Sequence, residues 1–133
     1  GQNLYSLVLS WSQLREDPLP SLSRLSNLTR LQFTRAYNGE QLTFCTGWFP
    51  KLKILVLRDM PNLNRLEIHQ GAMASLERLV LANLSGMMEV PPGIEFLMPL
   101  QRLVFQEITN DFLTVLYQCS VLEEQMWHYS LQD

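Results

Sequence analysis

Side chains able to do covalent or acid–base chemistry are few and scattered in this chain. Histidine occurs only as His69 and His128, and cysteine only as Cys45 and Cys119. Neither histidine has a neighbouring Cys, Ser or acid in the arrangement of a triad, although such geometry is finally spatial. The cysteines form no Cys-x-x-Cys or Cys/His cluster, so ordinary thiols are expected rather than a metal site or a disulfide. With so little from which to build a general base, the expectation is no enzyme, no catalytic residue and no metal. Arginine is the one reactive type with a pattern: Arg30, Arg78 and Arg102 fall in step at multiples of 24 residues, with Arg35 and Arg58 close to the same rhythm. A guanidinium grips a carboxylate bidentately, so a periodic row of them points to an acidic protein partner.

The rhythm belongs to a repeat. The segments "LYSLVL", "LTRLQF", "LKILVL", "LERLVL" and "LQRLVF" begin at Leu4, Leu28, Leu52, Leu76 and Leu100, and each carries Leu or Phe at its first, fourth and sixth positions. A second apolar set, Leu25, Phe49, Met73, Leu97 and Val121, keeps the same step. L-x-x-L-x-L at a period of 20–29 residues is the signature of the leucine-rich repeat. Each coil sends one short strand along a shared sheet and returns across a convex arc. A single coil cannot bury its own apolar side, so neighbours stack and share one core. The fold class is therefore an α/β repeat: a solenoid with a parallel concave sheet, irregular convex returns and a short C-terminal helix and strand as cap. Residues 1–108 read as five repeats with strands near 4–9, 28–33, 52–57, 76–81 and 100–105, and residues 109–133 as cap and tail. Because a rung starts at Leu4 with no polar cap before it, the chain is expected to be a fragment of a larger protein.

Bulk properties exclude several classes. The chain has 133 residues, 47% of them hydrophobic, and a formal net charge of −3. Slight acidity gives no reason to expect nucleic acid as a partner. No apolar run is long enough to span a bilayer and no signal peptide opens the chain. No small-molecule site is evident. The sequons at Asn27 and Asn83 would matter only in a secreted protein.

The returns are irregular. In "PNLNRLEIHQGAMAS", Leu63, Leu66 and Ile68 suggest a second short strand, with His69 on the surface after it. "RAYNGEQLTFCTGW" reads as a protruding loop with Tyr37 and Trp48 as candidate contacts, Trp48 leaning toward the core beside Phe49. Pro91, Pro92 and Gly93 must interrupt regular structure before Ile94 and Leu97 return to the interior. Near the C-terminus, Phe112, Val115, Leu116 and Cys119 stand at helical spacing, with Asn110 or Asp111 as N-cap. A sixth rung from Glu124 would place Trp127 and Tyr129 in the core and His128 on the solvent side.

On each rung the residues between the leucines face the concave side. Arg30, Arg58, Arg78 and Arg102 stand there, with Trp11 and Arg35 just after the strands and a valine column through Val8, Val56, Val80 and Val104. Acids at such positions are Glu77, Asp59 and Glu107, which could neutralise the arginines while their stems cover apolar surface. Valine suits any strand, but the column together with Ile54 and Trp11 is expected to expose an apolar patch rimmed by charge, a common mark of protein contacts. The candidate protein-binding residues are thus Trp11, Arg30, Arg35, Val56, Arg58, Arg78, Val80, Arg102 and Val104.

Three stretches resemble the C-terminal repeats of plant intracellular immune receptors of the coiled-coil nucleotide-binding leucine-rich-repeat class. "FPKLKILVLRDMPNLNRLEI" is similar to that family's buried lead-in, strand and P-N-L return. "GAMASLERLVLANL" resembles its G-A-M-x-x-L-x-x-L junction, and "EVPPGIEFLMPLQRLVFQEITNDFLTVL" its last strand and closing helix. The resemblance implies a cytoplasmic interaction module that contributes to effector recognition and restrains an upstream nucleotide switch. Its partner would be a pathogen effector or the receptor's own nucleotide-binding domain. The Gly-x-x-x-x-Gly-Lys-Ser/Thr loop of that switch is missing here, so ATP or ADP is expected only in an upstream domain and no residue of this chain binds a cofactor. Two other readings remain open at this level: a substrate adaptor of a ubiquitin ligase, and a fragment of an extracellular receptor ectodomain. The position three residues after each strand motif, where extracellular repeats carry Asn or Cys, holds Ser12, Ala36, Met60, Leu84 and Ile108.

Overall fold

In the computed structural model, which describes residues 4–118 and 128–132, the leucines at the strand motif pair across neighbouring rungs. Strands β1 (Ser6–Ser10), β2 (Arg30–Thr34), β4 (Ile54–Arg58), β6 (Arg78–Ala82), β7 (Arg102–Gln106) and β8 (His128–Gln132) form one parallel sheet, in the order β1-β2-β4-β6-β7-β8. Leu31 lies opposite Leu55, and Leu55 opposite Leu79, with no slip in register. Such pairing follows from the pattern: with a side-chain period of two, any one-residue slip would turn the whole leucine set outward. The inward side chains Leu31, Leu55, Leu79 and Leu103 are fully buried, and Phe33, Leu57, Leu81 and Phe105 beneath them nearly so.

The second apolar set closes the same interior from the return side, where Phe49, Met73 and Leu97 are buried and Leu25 packs against the core. Val121 of that set lies outside the described residues. On the first return, α1 (Leu19–Leu22) delivers Leu19 to the core, and the Asp17 carboxylate accepts the Leu19 N–H at 2.8 Å. On the fourth, Gly93 sits in the left-handed region at φ 91° and a Cβ there would overlap the Ile68 carbonyl oxygen. Glycine is therefore required where this return crosses the third. A single 3-10 turn over Ile94–Phe96 then buries Ile94, with Leu97 following it.

The segment expected to protrude as a loop does not. Its centre forms β3 (Gln41–Phe44), which pairs in parallel with β5 (Arg65–Ile68) as a second, two-stranded sheet on the return side. Tyr37 is buried and Trp48 packs against the core, so Tyr37 is not a surface contact. The signal was present: Leu42 and Phe44 stand 24 residues before Leu66 and Ile68, and all four are buried.

Each of the first five strands of the large sheet ends in the same corner. Trp11, Arg35, Asp59, Asn83 and Glu107 all have positive φ, between 50° and 61°. The corner N–H of Trp11, Arg35, Asp59 and Asn83 donates to the last strand carbonyl of the following rung, at 2.7–3.0 Å. Only Asp and Asn enter the left-handed region readily. For Trp11, Arg35 and Glu107 the ladder of hydrogen bonds and the buried neighbours must hold the conformation.

The C-terminal helix α2 (Asn110–Tyr117) is capped one residue earlier than expected, by Thr109, whose Oγ1 accepts the Phe112 N–H at 3.1 Å. Asn110 and Asp111 instead enter the first turn, where the Asp111 charge suits the helix dipole. Phe112 and Leu116 are buried, Phe112 against Phe105 at 5.7 Å between ring centroids. The closing strand is shifted from its expected register: Leu103 pairs with Tyr129 and Phe105 with Leu131. Tyr129 and Leu131 thus take the inward register positions in place of Trp127 and Tyr129, because the helical turn adds two residues to the last coil. Trp127 and Cys119 lie outside the described residues.

Candidate protein-interaction surface

The side chains that face away from the core of the large sheet form its concave face, and their chemistry is one-sided. The six strands read SLVLS, RLQFT, ILVLR, RLVLA, RLVFQ and HYSLQ, with four arginines and no acid. Arg30 pairs in register with Ile54, Ile54 with Arg78, and Arg78 with Arg102. Arg58 lies at the far end of β4. Two like charges directly opposite on adjacent strands are destabilising, so the Arg78–Arg102 pair is an arrangement that stability alone does not favour.

The acids expected to neutralise this row are used elsewhere. Glu77 faces Lys53 at 3.7 Å, and the Asp59 carboxylate accepts the Asn83 Nδ2–H at 2.9 Å. Arg30 donates to the Gln32 amide oxygen at 3.2 Å. Among the described residues no ion pair involves Arg30, Arg58, Arg78 or Arg102. Acid–base pairing is instead concentrated on the return side. There Arg65 meets Glu89 at 2.8 Å and Glu67 at 3.4 Å, and His69 lies 3.7 Å from Glu67. Partly exposed pairs of this kind contribute little to stability. They do cancel charge on the convex side, and that leaves the concave side positive within an acidic chain.

The valine column differs from expectation. Val56, Val80 and Val104 are buried, and with Ala82 and the half-buried Ile54 they form a small apolar cluster of their own. Branched side chains held in register on strands about 4.8 Å apart shield one another, and the arginine stems at the strand ends cover what is left. Val56, Val80 and Val104 are therefore a second, thin core beneath the arginines and not an open apolar patch. The column opens only at its end, where Val8 on β1 lies beside Gln32 and is 51% exposed.

Trp11 and Arg35 also stand apart from the sheet. Both occupy left-handed corners beyond the strands, and the Arg35 guanidinium carbon lies 4.9 Å from the centroid of the Trp11 ring. Arg35 Nε is buried with no hydrogen-bond partner, while Trp11 is 64% exposed. Arg35 is thus committed within the molecule, and Trp11 presents its free ring face to solvent.

What the structure brings together is a depression of about 150 Å³ on the concave face. It is lined by Arg30, Arg58 and Arg78, by Gln32 and Gln106, and by Ile54, Val56 and Val80 below them. Arg102 stands at its margin, next to Arg78. Gln32 and Gln106 were not singled out from the sequence, although both hold strand-face positions of the repeat.

Asn83, the second sequon asparagine, donates its side-chain amide to Asp59 within the corner ladder. Among the described residues no helix is long and apolar enough to cross a membrane.

No protein-family model matches the chain. Curated proteins do. Disease resistance protein RPM1 of Arabidopsis thaliana is 39% identical over 112 residues, covering 84% of this chain and 12% of that protein. Disease resistance RPP8-like protein 3 of the same plant is 24% identical over 107 residues, 80% of this chain and 12% of its own length. Probable disease resistance protein RF45, also from Arabidopsis thaliana, is 30% identical over 106 residues, 79% of this chain and 10% of that protein. The chain thus spans about an eighth of the length of the relatives it matches.

Proposed function

We propose that this chain, a leucine-rich-repeat segment homologous to plant disease resistance proteins, works as the protein-interaction module of an intracellular plant immune receptor. The relatives do not favour a ubiquitin-ligase adaptor or an extracellular ectodomain. The observation that carries the reading further is the acid-free concave sheet, with Arg78 and Arg102 side by side and without ion-pair partners. Such a surface is unfavourable alone and is relieved by carboxylates from another protein surface. That surface is either a pathogen effector or the receptor's own nucleotide-binding domain. In the second case the contact restrains the nucleotide switch, with ATP or ADP bound in that upstream domain and not by any residue of this chain. The site of action is the cytoplasm.

The test is charge reversal at Arg78 and Arg102 in the full-length receptor that carries this segment, expressed in leaf tissue. R78E/R102E is expected to abolish the effector-triggered response if the face binds in trans. It is expected to give cell death without effector if the face restrains the switch in cis. An unchanged response in both assays, with the isolated repeats melting as before, would remove the concave arginines from the function.

A further inference from the structure

Resting on the interaction-module reading, we infer that the concave depression walled by Arg30, Arg58 and Arg78 is a binding site for an extended acidic peptide segment that carries carboxylates at alternate positions. Three features of the site support this. The first is spacing. Arg30 and Arg78 flank Ile54 on either side in register, so their Cα atoms are separated by about two strand spacings, on the order of 10 Å. Arg58 lies four residues along β4 from Ile54, or about 13 Å. The guanidiniums therefore start from three separated points instead of converging on one. A lone phosphate, only a few ångströms across, could not meet all three. An extended chain repeats its same-side side chains about every 7 Å, which matches the spread.

The second feature is the wall chemistry. Between the arginines stand the amides of Gln32 and Gln106, which can bond to peptide groups of a chain lying across them. The floor of Ile54, Val56 and Val80 is already mostly covered, so the site offers polar contact with only a narrow apolar strip. That excludes a hydrophobic anchor as its main occupant. The third feature is charge. No strand of the sheet carries an acid, and Arg58 and Arg78 have no ion-pair partner among the described residues. Complementary charge must come from outside.

The experiment uses fluorescence anisotropy of the intact chain with a fluorescein-labelled peptide alternating glutamate and threonine, at low and at moderate salt. The matched glutamine–threonine peptide and inorganic phosphate serve as comparison probes. Binding of the acidic peptide that weakens with salt is expected, with no measurable binding of the glutamine peptide and no competition from phosphate. R58Q/R78Q should weaken the acidic peptide by at least about tenfold, as loss of charge-assisted contacts implies. R24Q, which neutralises the exposed Arg24 on the first return, should leave affinity within about twofold, since an exposed charge beyond a Debye length is screened. The proposal is overturned if the acidic peptide fails to bind, if R24Q weakens it as much as R58Q/R78Q, or if the glutamine peptide binds equally. Phosphate competing at comparable concentration would also overturn it, by assigning the site to a small anion. A negative result here alongside a positive receptor result for R78E/R102E would leave the concave face as the interface and remove only this depression.

Discussion

The Arg35 guanidinium lies over the ring of Trp11, one repeat away, with 4.9 Å from its carbon to the ring centroid. Both residues sit in left-handed corners, where their backbones are held by N–H donation to the Thr34 and Arg58 carbonyls. The stack thus joins two strained corners of adjacent coils, doing for a Trp–Arg pair what the Asn83–Asp59 hydrogen bond does two rungs on.

This stack should be measurable as a coupling energy. Trp11→Ala and Arg35→Gln, singly and together, are expected to show about 0.5–1 kcal/mol of coupling in urea unfolding, the range of a partly exposed cation–π contact. Strictly additive effects would mean the ring serves only as surface.

Leu79 tests the stacking itself. It is fully buried between Leu55 and Leu103 in register. Leu79→Ala should lower stability by about 2–5 kcal/mol through the cavity it leaves. Leu79→Asp should prevent folding, because a buried unpaired carboxylate has no compensation there. A soluble Asp variant with a native circular dichroism spectrum and cooperative melt would refute the register.

Gly93 is a sharper position than its exposed surroundings suggest. A methyl group at this residue meets the Ile68 carbonyl, on a backbone that side chains rarely adopt. Gly93→Ala is expected to lower the melting temperature markedly, combining clash with the strain of positive φ. Gly47 has a similar φ of 83° with open space around it, so Gly47→Ala should carry the strain alone and cost about 1 kcal/mol. Equal effects at the two positions would show that the clash is relieved.

Asp17 gives a pH dependence whose sign is defined. Burial raises its pKa above the ordinary 3.8, and the Leu19 N–H only partly offsets this. The folded chain therefore holds this proton to higher pH than the unfolded chain. Its contribution to stability is lost as pH rises from 3.8 through the raised value. Asp17→Asn keeps an acceptor for Leu19 and removes the charge. The variant should gain on the wild type as pH rises through that window, measured by thermal melts, and hold the gain at neutral pH. Tyr37, raised by burial and then by the Asp17 charge, should ionise at lower pH in the variant, seen as phenolate absorbance. A wild-type and variant difference that is flat with pH would place the Asp17 carboxylate in solvent.

From residue order alone, the period determined the architecture. A side chain that must be apolar every 24 residues, at three places per coil, has one efficient solution, which is to merge with its copies in a shared interior. Leu31, Leu55 and Leu79 could be aligned without coordinates, and so could Arg78 beside Arg102. The second short strand at Leu66 and Ile68 was legible for the same reason, and its partner at Leu42 and Phe44 was passed over though it followed the same step. What no periodicity carries is how crowded a face is, or where a backbone bends. Val56, Val80 and Val104 alternate as exposed residues should, yet they are buried, because shielding depends on neighbouring rungs and not on position within one. Trp11 and Arg35 read as strand-face residues until the left-handed corners removed them from the sheet. The last strand moved its inward positions to Tyr129 and Leu131 because a helix displaced the count. Repetition is a property of the chain, whereas accessibility is a property of distances between coils, and only the folded arrangement sets those distances.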